Sequence, residues 1–117
     1  MPAPDEDFAL ALAGMRLRYR TRLLELLDLL RPIRDRAGAD ALSSDDRDLI
    51  VQKSHQFAGS GGSFGFPGLS AAASNLEYFM VDNPQAAPAE ILPQFDAFLT
   101  TAEVAAAEIE ASGLIPT

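Results

Sequence analysis

A chain of 117 residues, 48% hydrophobic and 22% charged, has the make-up of one soluble globular domain. Its net charge of −8 is the wrong sign for nucleic acid or an anionic membrane surface as the main partner. No apolar run nears the ~20 residues that cross a bilayer, the acidic start Met1–Asp7 lacks the basic region of a secretory leader, and the absence of cysteine excludes disulfides and thiolate metal sites.

The expectation is therefore a single domain over residues 1–117, located in the cytoplasm. Its charge is unevenly placed. All nine basic residues lie between Arg16 and Lys53, whereas Ser54 to Thr117 carries seven carboxylates and no lysine or arginine. Any cation that meets a phosphate must come from the first half.

In chain order, the first helix is predicted from about Asp5 to Arg31, reaching Ala37 if Pro32 only kinks it. Leu10, Leu17, Leu23, Leu24, Leu27 and Leu30 supply its apolar spacing, and Gly38 is the expected stop. Ser43-Ser44-Asp45-Asp46 offers caps and early negative charge to a second helix. Ile50, Phe57 and Phe64, seven apart, mark its buried stripe.

Phe64-Gly65-Phe66-Pro67-Gly68 is a break, with Pro67 suited to the first turn of a third helix. That helix has an apolar face of Leu69, Ala72, Ala73, Leu76, Phe79 and Met80, and Asn83-Pro84 ends it. A last helix is predicted from about Ala89 to Ala111, with Ile91, Phe95, Phe98, Ala102 and Ile109 on one side and Gly113 as its stop. Pro93 either resets its first turn or is carried within it.

No segment joins period-two alternation to β-branched residues, so no sheet is expected. The fold class is all-α: an antiparallel four-helix bundle with His55 exposed midway along the second main helix. A self-contained bundle with no obvious leucine seam is expected to be a monomer.

His55 is the only histidine. Helical spacing places Ala58, Gly59 and Gly62 on its face, none with a side chain longer than a methyl, while Phe57 lies about 200° away on the core side. Gln56 and Ser60 flank the ring as candidate hydrogen-bond donors. Gly59, Gly61, Gly62 and Gly65 fall within seven residues, and glycine costs a helix up to about 1 kcal/mol relative to alanine. Close approach accounts for them, either by a protein closing over His55 or by a neighbouring helix.

Other chemistries fall away. One histidine and no cysteine leave no zinc ligand set, so no metal is expected. The glycine run has no preceding strand and no Gly-Lys-Ser or Gly-Lys-Thr, so it is not a phosphate loop, and its spacing is not the dinucleotide pattern. No nucleophile elbow accompanies a serine. What remains is a neutral imidazole as a nucleophile toward phosphorus, exposed on a rigid helix among small neighbours.

The residues His55, Phe57, Gly59, Gly65, Leu69 and Leu76-Glu77 keep an unbroken spacing that resembles the histidine-containing phosphotransfer domains of multistep two-component phosphorelays. The seventh element of that signature, a lysine three residues after the histidine, is Ala58 here. The resemblance implies a four-helix bundle whose exposed histidine carries a phosphoryl group. Its partners would be receiver domains of a hybrid sensor kinase and of a response regulator.

Such a carrier has no independent turnover and no cofactor of its own, magnesium belonging to the receivers. By the same resemblance His55 is the phosphoacceptor. Ala58, Gly59, Gly62, Gln56 and Ser60 form the docking face, and Phe57, Gly65, Leu69, Leu76 and Glu77 are structural, with Glu77 read as a solvated or capping charge. Arg16, Arg18, Arg20 and Arg22 are the candidates to replace the missing lysine, Lys53 lying about 200° round the helix from His55. The alternative is a bundle that binds a receiver or another signalling protein without being phosphorylated.

Overall fold

The computed structural model describes residues 4–112, with side chains from Glu6 onward; the stop expected at Gly113 lies outside them. Four helices follow one another: α1 (Pro4–Gly38), α2 (Ser44–Ser63), α3 (Pro67–Asp82) and α4 (Pro88–Ala111). No strand occurs among the described residues, so the all-α expectation holds.

Each boundary has a local cause. Pro32 does not end α1. It sits on the solvent side, where water can satisfy the carbonyl that lost its donor, while buried Ile33 and Ala37 continue the core stripe. α1 ends at Gly38, as expected, and the left-handed residue that closes the turn beyond it is Asp40, with a φ of 56°. Its N–H donates to the Ala37 carbonyl at 3.1 Å, and that of Ala41 to the Arg36 carbonyl at 2.8 Å, a Schellman closure.

Ser43 caps α2 in a reciprocal capping box with Asp46. A second Schellman closure ends that helix: Gly65 has a φ of 88°, and the Phe66 N–H donates to the Gly61 carbonyl at 2.8 Å. Pro67 and Pro88 occupy first turns, and α4 carries Pro93 without a break.

The four helices share one core, filled from α1 by Leu23, Leu27 and Leu30, from α2 by Ile50 and Phe57, from α3 by Leu69 and Leu76, and from α4 by Ile91, Phe95, Phe98 and Ile109. Tyr19, which no apolar pattern selects, is also fully buried and stacks on half-buried Phe64 with ring centroids 4.1 Å apart.

Most of the packing is α2 on α3 and α1 on α4. The uneven charge is absorbed by the second pair. Arg20 meets Glu110 at 3.2 Å, Arg31 meets Glu103 at 3.5 Å, and Arg34 holds Asp96 with its nearest oxygen at 2.8 Å. Such surface pairs set register more than stability.

Arg36, near the end of α1, grips Asp46 through two hydrogen bonds of 3.0 and 2.8 Å. With the Ser43 cap, this holds the Asp46 carboxyl at about 2, below its ordinary 3.8. A carboxyl depressed by folding stabilises the native state above its unfolded value and loses that contribution as pH falls toward the folded one. With the Arg36 side chain 47% exposed, about 1 kcal/mol is the expected size after allowance for solvent. Asp46→Asn is expected to lower the urea midpoint at pH 7, with the gap to wild type closing between about pH 4 and pH 2. A gap that stays constant across that range would remove Asp46 as the source.

Candidate functional site

The site begins with the turn at Gly65, which folds α3 back along α2. At position 61 the two backbones nearly touch: a Cβ there would lie 2.9 Å from the Ser70 nitrogen and 3.2 Å from the Phe66 carbonyl oxygen. Only glycine fits without a shift. The Ser70 hydroxyl adds a 2.6 Å hydrogen bond to the Ala58 carbonyl. The glycine run thus divides by role, since a Cβ at Gly59 or Gly62 would meet nothing within 4 Å. Gly61 answers to the neighbouring helix; Gly59 and Gly62 leave open surface.

The same antiparallel register places Glu77 of α3 beside His55 of α2. His55 Nδ1 donates to Glu77 Oε2 at 2.7 Å. The imidazole is 76% exposed, whereas the glutamate side chain is only 19% exposed. The carboxylate is therefore held at the edge of the α2–α3 seam while the ring stands out from it. A carboxylate accepts and cannot donate, so the neutral ring carries its proton on Nδ1 and its lone pair on Nε2, directed to solvent. Glu77 is thus no solvated or capping charge; it orients the histidine. Reflecting position 55 through the turn at 65–66 leads to 76–77, the signal in the sequence that could have found it.

Phe57 points from the opposite side of α2 into the core, 3% exposed, with Phe98 at 6.2 Å. Ser54 is buried and bonds back to the Ile50 carbonyl at 2.8 Å, leaving His55 as the projecting group of that turn. Gly59, Gly62 and Gln56 are exposed beside the ring and Ala58 is half-buried at the seam. Ser60 turns away, its hydroxyl 2.9 Å from the Tyr19 hydroxyl of α1, so it ties two helices together instead of facing outward. Leu69 and Leu76 are core, as expected.

Among the described residues, none of the five cations weighed against the missing lysine pairs with His55 or Glu77. The Arg16 guanidinium lies 5.2 Å from the Phe66 ring centre, and that of Arg22 lies over Tyr19 and Phe57 at 5.4 and 5.6 Å. Arg20 is paired with Glu110, and Arg18 lies back along α1 toward Gly14. Lys53 meets the Gln56 side chain at 3.5 Å. The charge given to His55 is therefore the negative one of Glu77.

Among the described residues there is no group of three or more histidine, aspartate or glutamate side chains placed to hold a metal ion, and no helix long and apolar enough to cross a membrane. The arrangement offers one exposed imidazole, hydrogen-bonded through Nδ1 to Glu77 and surrounded by open surface at Gly59 and Gly62.

A family model described as the Hpt domain matches residues 16–109. No curated protein and no solved structure matches the chain.

Glu77→Ala is expected to release the ring to the mixture of tautomers usual for a solvated imidazole. Nitrogen NMR of the imidazole reads this directly. A tautomer balance equal to that of wild type would mean that Glu77 does not orient the ring.

Proposed function

Since the chain belongs to the Hpt domain family, a family of phosphocarriers of two-component signalling, we propose that it relays a phosphoryl group between receiver-domain aspartates through His55. The observation that carries this reading is the pairing of a buried-edge carboxylate with Nδ1 and an exposed Nε2. A bundle that only binds has no need to set the tautomer of its one histidine.

In the step, the Nε2 lone pair attacks the phosphorus of an aspartyl phosphate. The bond from phosphorus to the aspartyl oxygen breaks, and the carboxylate leaves with the electron pair. The new nitrogen–phosphorus bond makes the ring cationic, and Glu77 offsets that charge across the Nδ1–H. Return transfer reverses these events: an aspartate of a second receiver attacks phosphorus, and the nitrogen–phosphorus pair returns to Nε2. The donor is a receiver of a hybrid sensor kinase and the acceptor that of a response regulator, and they supply magnesium and the cation that Ala58 does not. They dock over His55, Gln56, Ala58, Gly59 and Gly62.

One observation favours a second reading, in which the bundle binds a receiver without being phosphorylated: none of the cations that could replace the missing lysine pairs with His55 or Glu77. Transfer from a phosphorylated receiver to the wild type and to His55→Gln separates the two readings. The expected result is an acid-labile, base-stable label on the wild type and none on the variant. No label on either, with receiver binding intact, would establish the binding module.

The docking face has its own test. Gly62→Trp adds bulk where nothing stands within 4 Å, so it is expected to leave the melting temperature within a few degrees while cutting transfer by about 100-fold or more, as an obstructed interface centre does. Gly61→Val, by contrast, drives a side chain into the Ser70 backbone and is expected to cost several kcal/mol of stability, as overpacking does. Normal transfer by Gly62→Trp would move the docking face elsewhere.

A further inference from the structure

α1 is longer than the bundle it helps to build. It runs for 35 residues, against 20 in α2 and 24 in α4. Its last described ties to the other helices are Tyr19 to Ser60, Arg20 to Glu110 and Arg16 over Phe66. The turns before Arg16 project beyond them, and the molecule measures 59 Å along its long axis against 25 Å and 20 Å across.

That projection keeps the apolar stripe of the core. Phe8, Leu12 and Met15 fall within about 60° of arc on the face of α1 that carries Tyr19, Leu23 and Leu30 further along. Yet Phe8 is 71% exposed, and Leu12 and Met15 are exposed as well. Leu12 and Met15 also form one wall of an open cleft of about 550 Å³ whose other side is Ser63, Phe64 and Gly65. Among the described residues nothing covers this stripe.

The charges beside the stripe say what the occupant is. The start of the helix is acidic, with Glu6 and Asp7, and the stretch from Arg16 to Arg22 is basic. Asp7 and Arg18, both exposed, lie on the same flank of the stripe, about 100° and 80° from Phe8 in the same rotational sense. When two copies of one helix pair antiparallel about a two-fold axis, residues of the same flank face each other.

A pairing centred between residues 12 and 13 brings Asp7 of each copy to Arg18 of the other. It also interleaves Leu12 with its counterpart and lays Phe8 toward the cleft beside Met15. The opposite, parallel pairing would set acid on acid and base on base.

We propose that the projecting turns of α1 are a homodimer seat, closed by a second copy of this chain in antiparallel register. The monomer expected from the sequence rested on the lack of a leucine seam; the seam is present, built from Phe8, Leu12 and Met15. A pairing of this length buries about 1,000 Å² in total, at the low end of specific interfaces, where weak and reversible association is usual.

Sedimentation equilibrium of the full chain between about 10 and 500 µM, the range such an interface calls for, tests it. The wild type is expected to dimerise as concentration rises, and Leu12→Glu to remain monomeric with an unchanged helical circular dichroism spectrum. Asp7→Lys and Arg18→Glu should each weaken self-association by about tenfold through two repelling pairs. An equimolar mixture of the two should recover the dimer, because each mixed pair then joins opposite charges.

A wild type that stays monomeric throughout, whatever else covers the stripe, overturns the inference. So does a dimer that survives Leu12→Glu. Loss of the dimer in Leu12→Glu without recovery in the mixture would overturn the antiparallel register.

Discussion

The close approach of α2 and α3 at Gly61 is the constraint from which the site follows. With a Cβ at that position only 2.9 Å from the Ser70 nitrogen, the two helices cannot lie this near with any other residue in place. Their proximity lets the Ser70 hydroxyl reach the Ala58 carbonyl and lets the short side chain of Glu77 reach His55. Were the helices an ångström or two further apart, the glutamate would end in water and the ring would choose its own tautomer. A residue with no side chain thus sets the separation across which Glu77 meets His55.

α2 is held on its other side by a different kind of contact. Tyr19 stacks on Phe64, lies near Phe57, and meets the Ser60 hydroxyl. Burial raises the Tyr19 phenol above its ordinary value, opposed by the Ser60 hydrogen bond, so the phenol is neutral wherever the protein is folded at ordinary pH. Clamped between an aromatic cluster and a glycine-fitted backbone contact, α2 has one open face, the one with His55, Gly59 and Gly62. Rigidity beneath the imidazole and vacancy around it come from the same packing. This combination suits the proposed relay, because neither receiver would have to reorganise the carrier.

The charge asymmetry serves the bundle more than the site. Basic residues confined to the first half and carboxylates filling the second read naturally as a phosphate-binding half and an acidic half. In the fold Arg20, Arg31 and Arg34 pair with carboxylates of the second half along the α1–α4 seam, and Arg36 clamps Asp46 at the start of α2. The electrostatics next to His55 are accordingly those of one carboxylate. In this respect the chain departs from the signature that it otherwise keeps.

Much of this was written into local sequence. The four helices, the caps at Ser43 and Pro67, the break at Gly65, the core stripe of α4 and the projection of His55 all follow from spacing and propensity, which act over a few residues and need no knowledge of neighbours. The glycine run announced close approach but not by what: helical periodicity treats Gly59, Gly61 and Gly62 alike, and only the position of α3 separates the one that packs from the two that stay open. Glu77 and Ser60 changed meaning for the same reason, and Tyr19 acquired one. Their roles depend on which residue stands opposite across 22 or 41 positions of chain, and hydrogen bonds at that range are decided by helix register and interaxial distance. Those two quantities arise from the packing of whole helices, so no stretch of sequence read alone contains them.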